Sequence, residues 1–301
     1  MDSHALSEAP AEGDGRRLPA DALAAIVALV RERRGIDLRD RRTEPLERAV
    51  AGRVVATGAK GAAAYVDRLR EDPAEVGRLA AAALVGATSF FRDPPVFEAL
   101  ERAVLPALFA RAGRDGEVRA WTVGTATGEE AYTVAMLLAE ARAALATVDP
   151  GCCGFSVLAT DVDEGALDVA RAGRYPADGA GTVPARLRGR WLGPAVAGRV
   201  EVAPELRSRV TFARHDVVGP RLAPREAVIA GFDLVLCRNV LIYFDGRLAR
   251  NALDRLAAVL RPGGALVLGP ADAPGAGPGP AFEPWPGPVR EAPIYRRREE
   301  A

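Results

Sequence analysis

The stretch F-D-L-V-L-C-R-N-V-L-I-Y-F-D, residues Phe232 to Asp245, decides the fold. Its first half is an almost unbroken apolar run, which predicts a parallel strand buried on both faces. The run gives way to Cys237, Arg238 and Asn239, and Tyr243 follows on the segment that leads away. Ligands of open α/β sheets bind at the carboxyl ends of such strands. Taken alone, the stretch is equally consistent with a buried strand followed by a polar turn.

Strands and helices alternate around this stretch, which predicts an α/β fold with a parallel sheet and right-handed crossovers. Strands are expected at 118–123, 155–160, 232–237 and 265–269, and helices at 97–111, 129–145, 165–172 and 247–260. Two short β-like pieces, 200–202 and 210–212, fall in an expected insertion at about 179–212, the first of them as an antiparallel element. The glycine- and proline-rich segment 270–288 predicts no regular structure. A final strand is expected at 292–295.

The residues before the sheet have a different pattern. Residues 1–17 are small and acidic and predict a disordered tail. Apolar residues at helical spacing then predict helices at 19–33, from about 43 to 58, at 62–69 and at 74–85. We therefore expect a helical domain over 18–86, a linker over 87–103 and a sheet domain over 104–298.

Composition excludes several classes of function. The formal net charge is zero, so no overall field favours nucleic acid or an anionic membrane. The three cysteines form no disulfide framework or metal-ligand spacing, and the two histidines argue against a His-based triad or zinc site. With no signal peptide and no apolar run long enough to span a bilayer, a cytoplasmic protein without a metal is expected.

Part of the helical domain is basic. From Arg31 to Lys60 there are nine basic residues against five acidic ones. This excess indicates either a solvated helix face or a docking surface for an acidic partner. The candidate docking residues are Arg39, Arg41, Arg42, Arg48 and Arg53.

The junction after the first strand is V-G-T-A-T-G-E-E, Val123 to Glu130. Gly124 and Gly128 allow the backbone to approach a ligand closely. The junction lacks the lysine of a phosphate-binding loop, and the carboxylates of Glu129 and Glu130 would repel a pyrophosphate. A ligand that carries an ammonium group fits better, although a plain strand–turn–helix has the same pattern.

The second strand ends at A-T-D-V-D, residues 159–163. An acidic residue at this point typically accepts both hydroxyl protons of a ribose, and Asp161 is the candidate. Asp163 is expected to cap the following helix. A ligand with a ribose and an ammonium group but no phosphate matches S-adenosylmethionine (SAM), and it does not match a nicotinamide dinucleotide.

The segment T-S-F-F-R-D, Thr88 to Asp93, precedes the sheet. Arg92 could orient a carboxylate through its fork of donors. Phe90 and Phe91 favour packing between the two domains.

Together these pieces resemble the chemotaxis receptor methyltransferases, the CheR family, over roughly residues 18–298. Five motifs run in the family's order: T-S-F-F-R-D, T-G-E-E-A-Y-T-V-A-M, A-T-D-V-D-E-G-A-L-D-V-A-R-A-G-R-Y, C-R-N-V-L-I-Y-F-D and L-R-P-G-G-A-L-V-L-G. The resemblance implies an all-helical amino-terminal domain followed by a Rossmann-like SAM methyltransferase domain with a small β-subdomain. It also implies methyl transfer to glutamate side chains on the cytoplasmic helices of chemoreceptors, with S-adenosylhomocysteine (SAH) as the product.

The resemblance also implies site residues. Those at the cofactor or transfer site are Thr88, Arg92, Glu130, Asp161, Asp216, Val217, Asn239, Val240 and Tyr243. Arg92 and Tyr243 are the catalytic candidates. Gly124 joins the cofactor set from its position in the glycine-rich loop, and Gly86 joins it at the position of a family asparagine. Three departures from the family pattern occur: Gly86 replaces an asparagine, Asp216 replaces an asparagine, and Pro270-Ala271-Asp272 replaces His-Ser-Glu.

The expected mechanism is direct displacement, in which a glutamate carboxylate attacks the sulfonium methyl group. A carboxylate is ionised at neutral pH, so no general base is required. Two alternatives remain open from the residues. One is a regulatory protein that binds SAM without turnover, and the other is a methyltransferase for a different carboxylic acid.

Overall fold

The computed structural model describes residues 18–36, 38, 43–83, 88–113, 116–149, 151, 153–227, 231–272, 277–287, 289 and 292–299. The chain divides into two compact units, Met1–Leu84 and Val85–Ala301. The predicted tail and Gly86 lie outside the described residues, as do Arg39, Arg41 and Arg42. Within the described residues, no helix combines the length and apolar character that a membrane crossing requires.

The described residues of the amino-terminal unit form four helices, as the apolar spacing predicts. They are α1 Ala20–Arg34, α2 Thr43–Thr57, α3 Ala62–Glu71 and α4 Pro73–Ala83. Gly35 ends α1 in the left-handed conformation, with φ of 66°, a backbone geometry that favours glycine. The core between the helices is aliphatic, because Ile26, Val30, Val50 and Leu69 have no solvent exposure.

An ion-pair network around the buried Glu75 crosses this unit and gives Arg53 a structural role. The Arg53 guanidinium donates from Nε and Nη2 to the two carboxylate oxygens of Glu75, at 2.8 and 2.7 Å. Glu75 also accepts hydrogen bonds from Tyr65 and Arg78, and its side chain is 1% exposed. Arg53 therefore balances an internal charge, and this role accounts for the residue without an acidic partner.

Two more basic side chains from the same stretch act inside the unit. Arg33 donates to the carbonyl oxygens of Leu69 and Arg70, at 3.1 and 2.7 Å, near the end of α3. Arg34 donates to the carbonyl oxygen of Pro73 at 3.0 Å. At the end of α3, Arg33 thus satisfies carbonyl groups that have no partner within the helix. Part of the basic excess is thus used for packing the helices.

The carboxyl-terminal unit contains the alternating strands and helices. A continuous helical segment comes first, made of α5 Pro94–Ala99, a π-helical turn Leu100–Val104 and α6 Leu105–Ala112. The strands are β1 Glu117–Val123, β2 Gly154–Asp161, β3 Arg174–Pro176, β4 Arg199–Glu201, β5 Val210–Arg214, β6 Phe232–Cys237, β7 Leu260–Leu268, β8 Phe282–Pro284 and β9 Ile294–Arg297. The later helices are α7 Glu129–Ala146, α8 Glu164–Ala172, α9 Ala185–Trp191, α10 Pro204–Arg207 and α11 Gly246–Val259, with 3₁₀ turns at Gly179–Thr182 and Leu241–Tyr243.

The large sheet has the strand order β5-β2-β1-β6-β7-β9-β8. The first five strands are parallel, whereas β9 runs antiparallel to both β7 and β8. The chain runs outward from β1 through β2 to β5, then returns to β6 on the other side of β1. The order therefore reverses between β1 and β6, and this kind of switch point opens a crevice at the carboxyl edge of a sheet.

The strand predicted from the opening stretch has the expected bounds and burial. Leu234, Val235, Leu236 and Cys237 have no solvent exposure. Leu234 and Leu236 pack in the core on one face of the sheet, and Val235 and Cys237 pack in the core on the other face. The α/β fold with a mostly parallel sheet is confirmed.

A second, two-stranded sheet pairs β3 with β4 in antiparallel fashion. The β-like piece at 200–202 overlaps β4, while its partner β3 was not predicted. The other piece, at 210–212, belongs to β5, which pairs with β2 in the large sheet. The prediction of no regular structure over 270–288 is wrong at β8, which pairs with β9.

Candidate active site

The predicted site residues collect at the carboxyl edge of the large sheet. In the strand register, Val123 at the end of β1 is level with Thr160 of β2 and Cys237 of β6. The loops after these parallel strands therefore leave the sheet side by side. They and their neighbours carry Gly124, Glu130, Asp161, Asp216, Val217, Asn239, Val240 and Tyr243.

The loop after β1 depends on glycine. Gly124 has φ of 67°, and a Cβ atom there would lie 2.5 Å from Cγ2 of Val240. A side chain at this position would therefore push the loop after β1 away from the loop after β6. The two segments predicted to contact one ligand are in direct contact here.

Asp161, the last residue of β2, is fixed by two backbone groups. Its Oδ2 accepts the N–H of Ala126 at 2.8 Å, and its Oδ1 accepts the N–H of Asp163 at 3.0 Å. Burial raises the pKa of Asp161, and these hydrogen bonds oppose that rise. Each carboxylate oxygen keeps a second lone pair, so the group can still accept hydroxyl protons. Asp163 caps α8 through the N–H groups of Gly165 and Ala166, as predicted.

Arg238 is a buried residue of the candidate site to which the sequence analysis assigned no role. Its side chain has no solvent exposure, and it donates to Glu130 Oε2 at 2.8 Å and to Asp93 Oδ2 at 2.6 Å. It also donates to the carbonyl oxygen of Arg92 at 2.9 Å and lies over the ring of Phe97. The only signal in the opening stretch was the position of the arginine directly after a buried strand, because such a residue requires acidic partners if it is itself buried.

Glu130 lies in the first turn of α7, where a carboxylate is favoured by the helix dipole. Burial raises its pKa, while the charge and hydrogen bond of Arg238 and the charge of Arg92 lower it. The ion pair with Arg238 therefore favours the ionised form of a carboxylate that burial alone would tend to neutralise.

The T-S-F-F-R-D segment is joined to the same cluster. Arg92 and Asp93 both contact Arg238, and the Phe91 N–H donates to Oγ1 of Thr133 at 3.2 Å. Phe90 and Phe91 are buried against Tyr175 and Phe97, which are both in the carboxyl-terminal unit. Thr88 is partly buried at the start of the segment.

Asp272 organises the loop after β6. Its carboxylate accepts backbone N–H groups from Asn239, from Ile242 at 3.0 Å and from Gly269 at 3.1 Å. The residue is 4% exposed. The segment Pro270-Ala271-Asp272, a departure from the family pattern, therefore supplies a buried acceptor for the loop that carries Asn239, Val240 and Tyr243.

Asp216 and Val217 follow β5 in a turn. Oδ1 of Asp216 accepts the N–H of Val218 at 3.1 Å, and the carbonyl oxygen of Val217 accepts Nε of Arg255 at 2.7 Å. The Val217 side chain is buried and that of Asp216 is partly buried. The hydrogen bond from Arg255 thus ties this turn to α11. The N–H of His215 donates to the carbonyl oxygen of Asp161, which places the turn near the end of β2.

Backbone strain concentrates around these loops. Among the described residues, five non-glycine residues have positive φ, and four of them border this edge: Phe91, Asp93, Ala126 and Asn239, with φ of 52°, 62°, 48° and 58°. Strained residues persist where the surrounding structure over-determines them, and they cluster at ligand sites.

The two carboxylates of the site fit a nucleoside that carries a cationic group. Asp161 offers acceptors for a diol, and Glu130 offers a negative charge at the start of a helix that would otherwise suit phosphate. Two carboxylates at this edge disfavour a pyrophosphate for the same electrostatic reason.

Comparisons with known proteins agree with this chemistry. The family model described as "CheR methyltransferase, SAM binding domain" matches residues 86–276, and the model "CheR methyltransferase, all-alpha domain" matches residues 21–83. The chain is 32% identical over 251 residues to an uncharacterized 104.1 kDa protein of Rhodobacter capsulatus, a match that covers 83% of this chain and 25% of that protein.

Two similar relatives come from Pseudomonas aeruginosa. Chemotaxis protein methyltransferase 1 is 36% identical over 184 residues, covering 60% of this chain and 64% of the relative. Chemotaxis protein methyltransferase 2 is 35% identical over 215 residues, covering 69% and 70%. The chain thus spans a quarter of the first of these three relatives and just under two thirds of the second. With both family models matched in order, the chain belongs to the CheR methyltransferase family, and its carboxyl-terminal unit is that family's SAM-binding domain.

Proposed function

We propose that this protein transfers a methyl group from SAM to glutamate side chains of chemoreceptors and forms methyl esters. The observation that carries the proposal is a pair of carboxylates, the partly buried Asp161 and the buried Glu130, next to the loop that follows β1. Relatives named chemotaxis protein methyltransferases support the acceptor class.

The residues of the sheet edge bind the cofactor in this proposal. Asp161 accepts the ribose hydroxyls, and Glu130 pairs with the ammonium group of the amino-acid end. The adenine lies near Asp216 and Val217. The remaining contacts come from Thr88, Gly124, Asn239 and Val240, with Gly86 as a further position. The bound cofactor supplies a methyl group that is electrophilic because it is attached to a sulfonium.

The acceptor side of the site is Arg92 and Tyr243. Arg92 is an exposed arginine whose charge acts on Glu130, so it lies beside the proposed amino-acid end of the cofactor. It orients the incoming carboxylate, and Tyr243 borders the reacting centre. Since the glutamate is already ionised at neutral pH, the site needs no proton acceptor, and alignment of the groups provides the rate.

The direct test is calorimetry with SAH followed by detection of methyl esters on a receptor cytoplasmic fragment with labelled SAM. Arg92→Ala is expected to lower kcat about a hundredfold, because a misaligned acceptor loses that much, with little change in SAH affinity. Arg102→Ala is the matched control, since Arg102 is 80% exposed and pairs only loosely with Glu98, at 3.7 Å. If the protein binds SAH in the calorimeter but forms no esters on the fragment when it is supplied with SAM alone, the proposal is contradicted. Equal losses in turnover and SAH affinity for Arg92→Ala would contradict it as well.

The partner is an acidic receptor helix, and the proposed contact is the basic region of the amino-terminal unit. Of the five residues predicted for it, Arg39, Arg41, Arg42 and Arg48 remain candidates after the removal of Arg53. Replacing Arg41, Arg42 and Arg48 with glutamate is expected to slow receptor methylation while SAH affinity stays unchanged. Arg68→Glu, at an exposed position of α3, makes a charge change of the same sign as a control. Equal slowing by the control would count against a specific docking surface.

A further inference from the structure

Tyr175, in β3 of the small sheet, joins separate segments around the glycine-rich loop. Its hydroxyl donates to the carbonyl oxygen of Thr127 at 2.7 Å. Its ring packs edge-on against Phe90 and Tyr132, with centroid distances of 5.0 and 6.1 Å. The residue is 2% exposed. The small sheet therefore reaches the loop after β1 through this buried side chain.

The loop that Tyr175 holds also sets the position of the Asp161 carboxylate. The Ala126 N–H donates to Asp161, and the Thr125 N–H donates to the carbonyl oxygen of Thr160 at 3.0 Å. Ala126 has the strained φ of 48°. Because such a conformation needs external support, a hydrogen bond to the next residue, Thr127, is placed where it stabilises the strained turn.

The neighbouring glycine provides the space for this contact. A Cβ atom on Gly128 would lie 3.0 Å from the Tyr175 hydroxyl and 2.7 Å from Cβ of Ala170. Gly128 is also the residue before α7, with φ of 94°. The absence of a side chain thus lets Tyr175 approach the loop at the point where the helix carrying Glu130 begins.

We infer that Tyr175 is a positioning residue for the cofactor site: its hydroxyl fixes the Thr127 carbonyl and so holds the loop that aligns Asp161 and the first turn of α7. Burial raises the pKa of Tyr175, so the phenol remains a hydrogen-bond donor at neutral pH. Tyr175 acts through the loop and is not assigned a contact with the cofactor or the acceptor. The inference rests on the proposed function only for its kinetic test.

Tyr175→Phe removes the hydroxyl and keeps the ring, and Tyr132→Phe is a matched control. Tyr132 is 1% exposed, and its hydroxyl donates at 2.9 Å to the carbonyl oxygen of Ala170 in α8 rather than to a carbonyl of the loop. Loss of one buried hydrogen bond predicts a rise of about three- to tenfold in the SAH Kd for Tyr175→Phe. The control is expected to keep the wild-type Kd, although both variants lower the urea midpoint of unfolding to a similar extent.

Kinetics and hydrogen exchange separate positioning from general stability. Tyr175→Phe is expected to raise the KM for SAM by the same factor while the KM for the receptor fragment is unchanged. Amide hydrogens of residues 124–128 are expected to exchange faster in Tyr175→Phe and at the wild-type rate in Tyr132→Phe. Hydrogen exchange and SAH calorimetry do not require turnover, so their outcome is independent of whether the protein methylates a receptor.

Gly128→Ala is a second variant that displaces the Tyr175 hydroxyl by a different change. It is expected to weaken SAH binding at least as much as Tyr175→Phe. The inference is overturned if Tyr175→Phe binds SAH with the wild-type Kd, if Tyr132→Phe weakens binding equally, or if Gly128→Ala retains full affinity.

Discussion

Replacing Arg238 with methionine tests the buried ion-pair cluster that connects three segments of the site. The substitution keeps an unbranched apolar chain but removes the donors to Glu130, Asp93 and the Arg92 carbonyl. The Arg238 side chain has no exposure and that of Glu130 has 12%, so Glu130 is left as a nearly buried charge without its cation. Breaking a buried pair in this way costs about 3–5 kcal/mol. Against a typical domain stability of about 5–15 kcal/mol, the unit is expected to remain folded but with much reduced stability.

The loss is measured by urea unfolding without cofactor, followed by tryptophan fluorescence. The three tryptophans, Trp121, Trp191 and Trp285, all lie in the carboxyl-terminal unit, so the signal reports that unit. The double variant Arg238→Met/Glu130→Gln removes the stranded charge. It is expected to be more stable than the sum of the single losses predicts, by about 1–3 kcal/mol. The reasoning is refuted if the stability losses of the two single variants add up in the double variant. It is also refuted if Arg238→Met loses less than about 1 kcal/mol, because that is the contribution of an exposed ion pair.

The same variant changes the pH dependence of cofactor binding. Burial raises the pKa of Glu130, and the positive charge of Arg238 limits that rise. Without Arg238, the pKa of Glu130 therefore lies further above its ordinary value. The carboxyl group then loses its charge as the pH falls toward that higher pKa. SAH affinity of Arg238→Met is therefore expected to fall more between pH 8 and pH 6 than wild-type affinity does. Parallel pH profiles would show that Glu130 does not pair with the amino-acid end.

Two further changes test other parts of the chain. Asp161→Asn replaces one of the two carboxylate oxygens with an amide group, although two backbone N–H groups donate to this side chain in the wild type. The binding free energy of SAH is therefore expected to weaken by about 1.5–3 kcal/mol, or roughly ten- to hundredfold in Kd. Calorimetry checks this, and a Kd within threefold of wild type would contradict the assigned role. In the helical unit, burial raises the pKa of Glu75, but hydrogen bonds from Arg53, Arg78 and Tyr65 outweigh it and lower the pKa from 4.5 to about 2. Because the folded pKa is depressed, this contribution of about 3 kcal/mol is complete above pH 4.5 and is lost as the pH falls toward 2. Helical circular dichroism during urea unfolding should show that dependence in the wild type and lose it in Glu75→Gln; an unchanged acid profile in the variant would exclude the network as its source.

The fold was accessible from the sequence because its main signals are local. The apolar run from Phe232 to Cys237 marks a strand that is covered on both faces, and helix periodicity marks α1 to α4. The three-residue strand β3 carried no such signal, since Arg174 and Pro176 flank a single buried residue. Its existence depends on pairing with β4, more than twenty residues away along the chain.

The site was predicted where single residues follow strands, and it was missed where residues act through distant partners. Asp161 and Glu130 stand at recognisable positions, at the end of β2 and in the first turn of α7. Arg238 is separated by 108 residues from Glu130 and by 145 residues from Asp93, so only the folded chain identifies its partners. For the same reason Arg53 looked like a surface charge, because Glu75 lies 22 residues further on, in another helix.

The four strained residues around the sheet edge have a consequence for engineering. A left-handed conformation costs a non-glycine residue about 1–2 kcal/mol, whereas glycine adopts it freely. A library screened for heat resistance is therefore expected to accumulate glycine at Ala126 rather than at Asn239, because asparagine tolerates this conformation. The same substitution lets the loop sample other shapes when no cofactor is present. Glycine at this position should raise thermal tolerance and lower affinity for the nucleoside. A screen for heat resistance and a screen for nucleoside binding would therefore select different residues there.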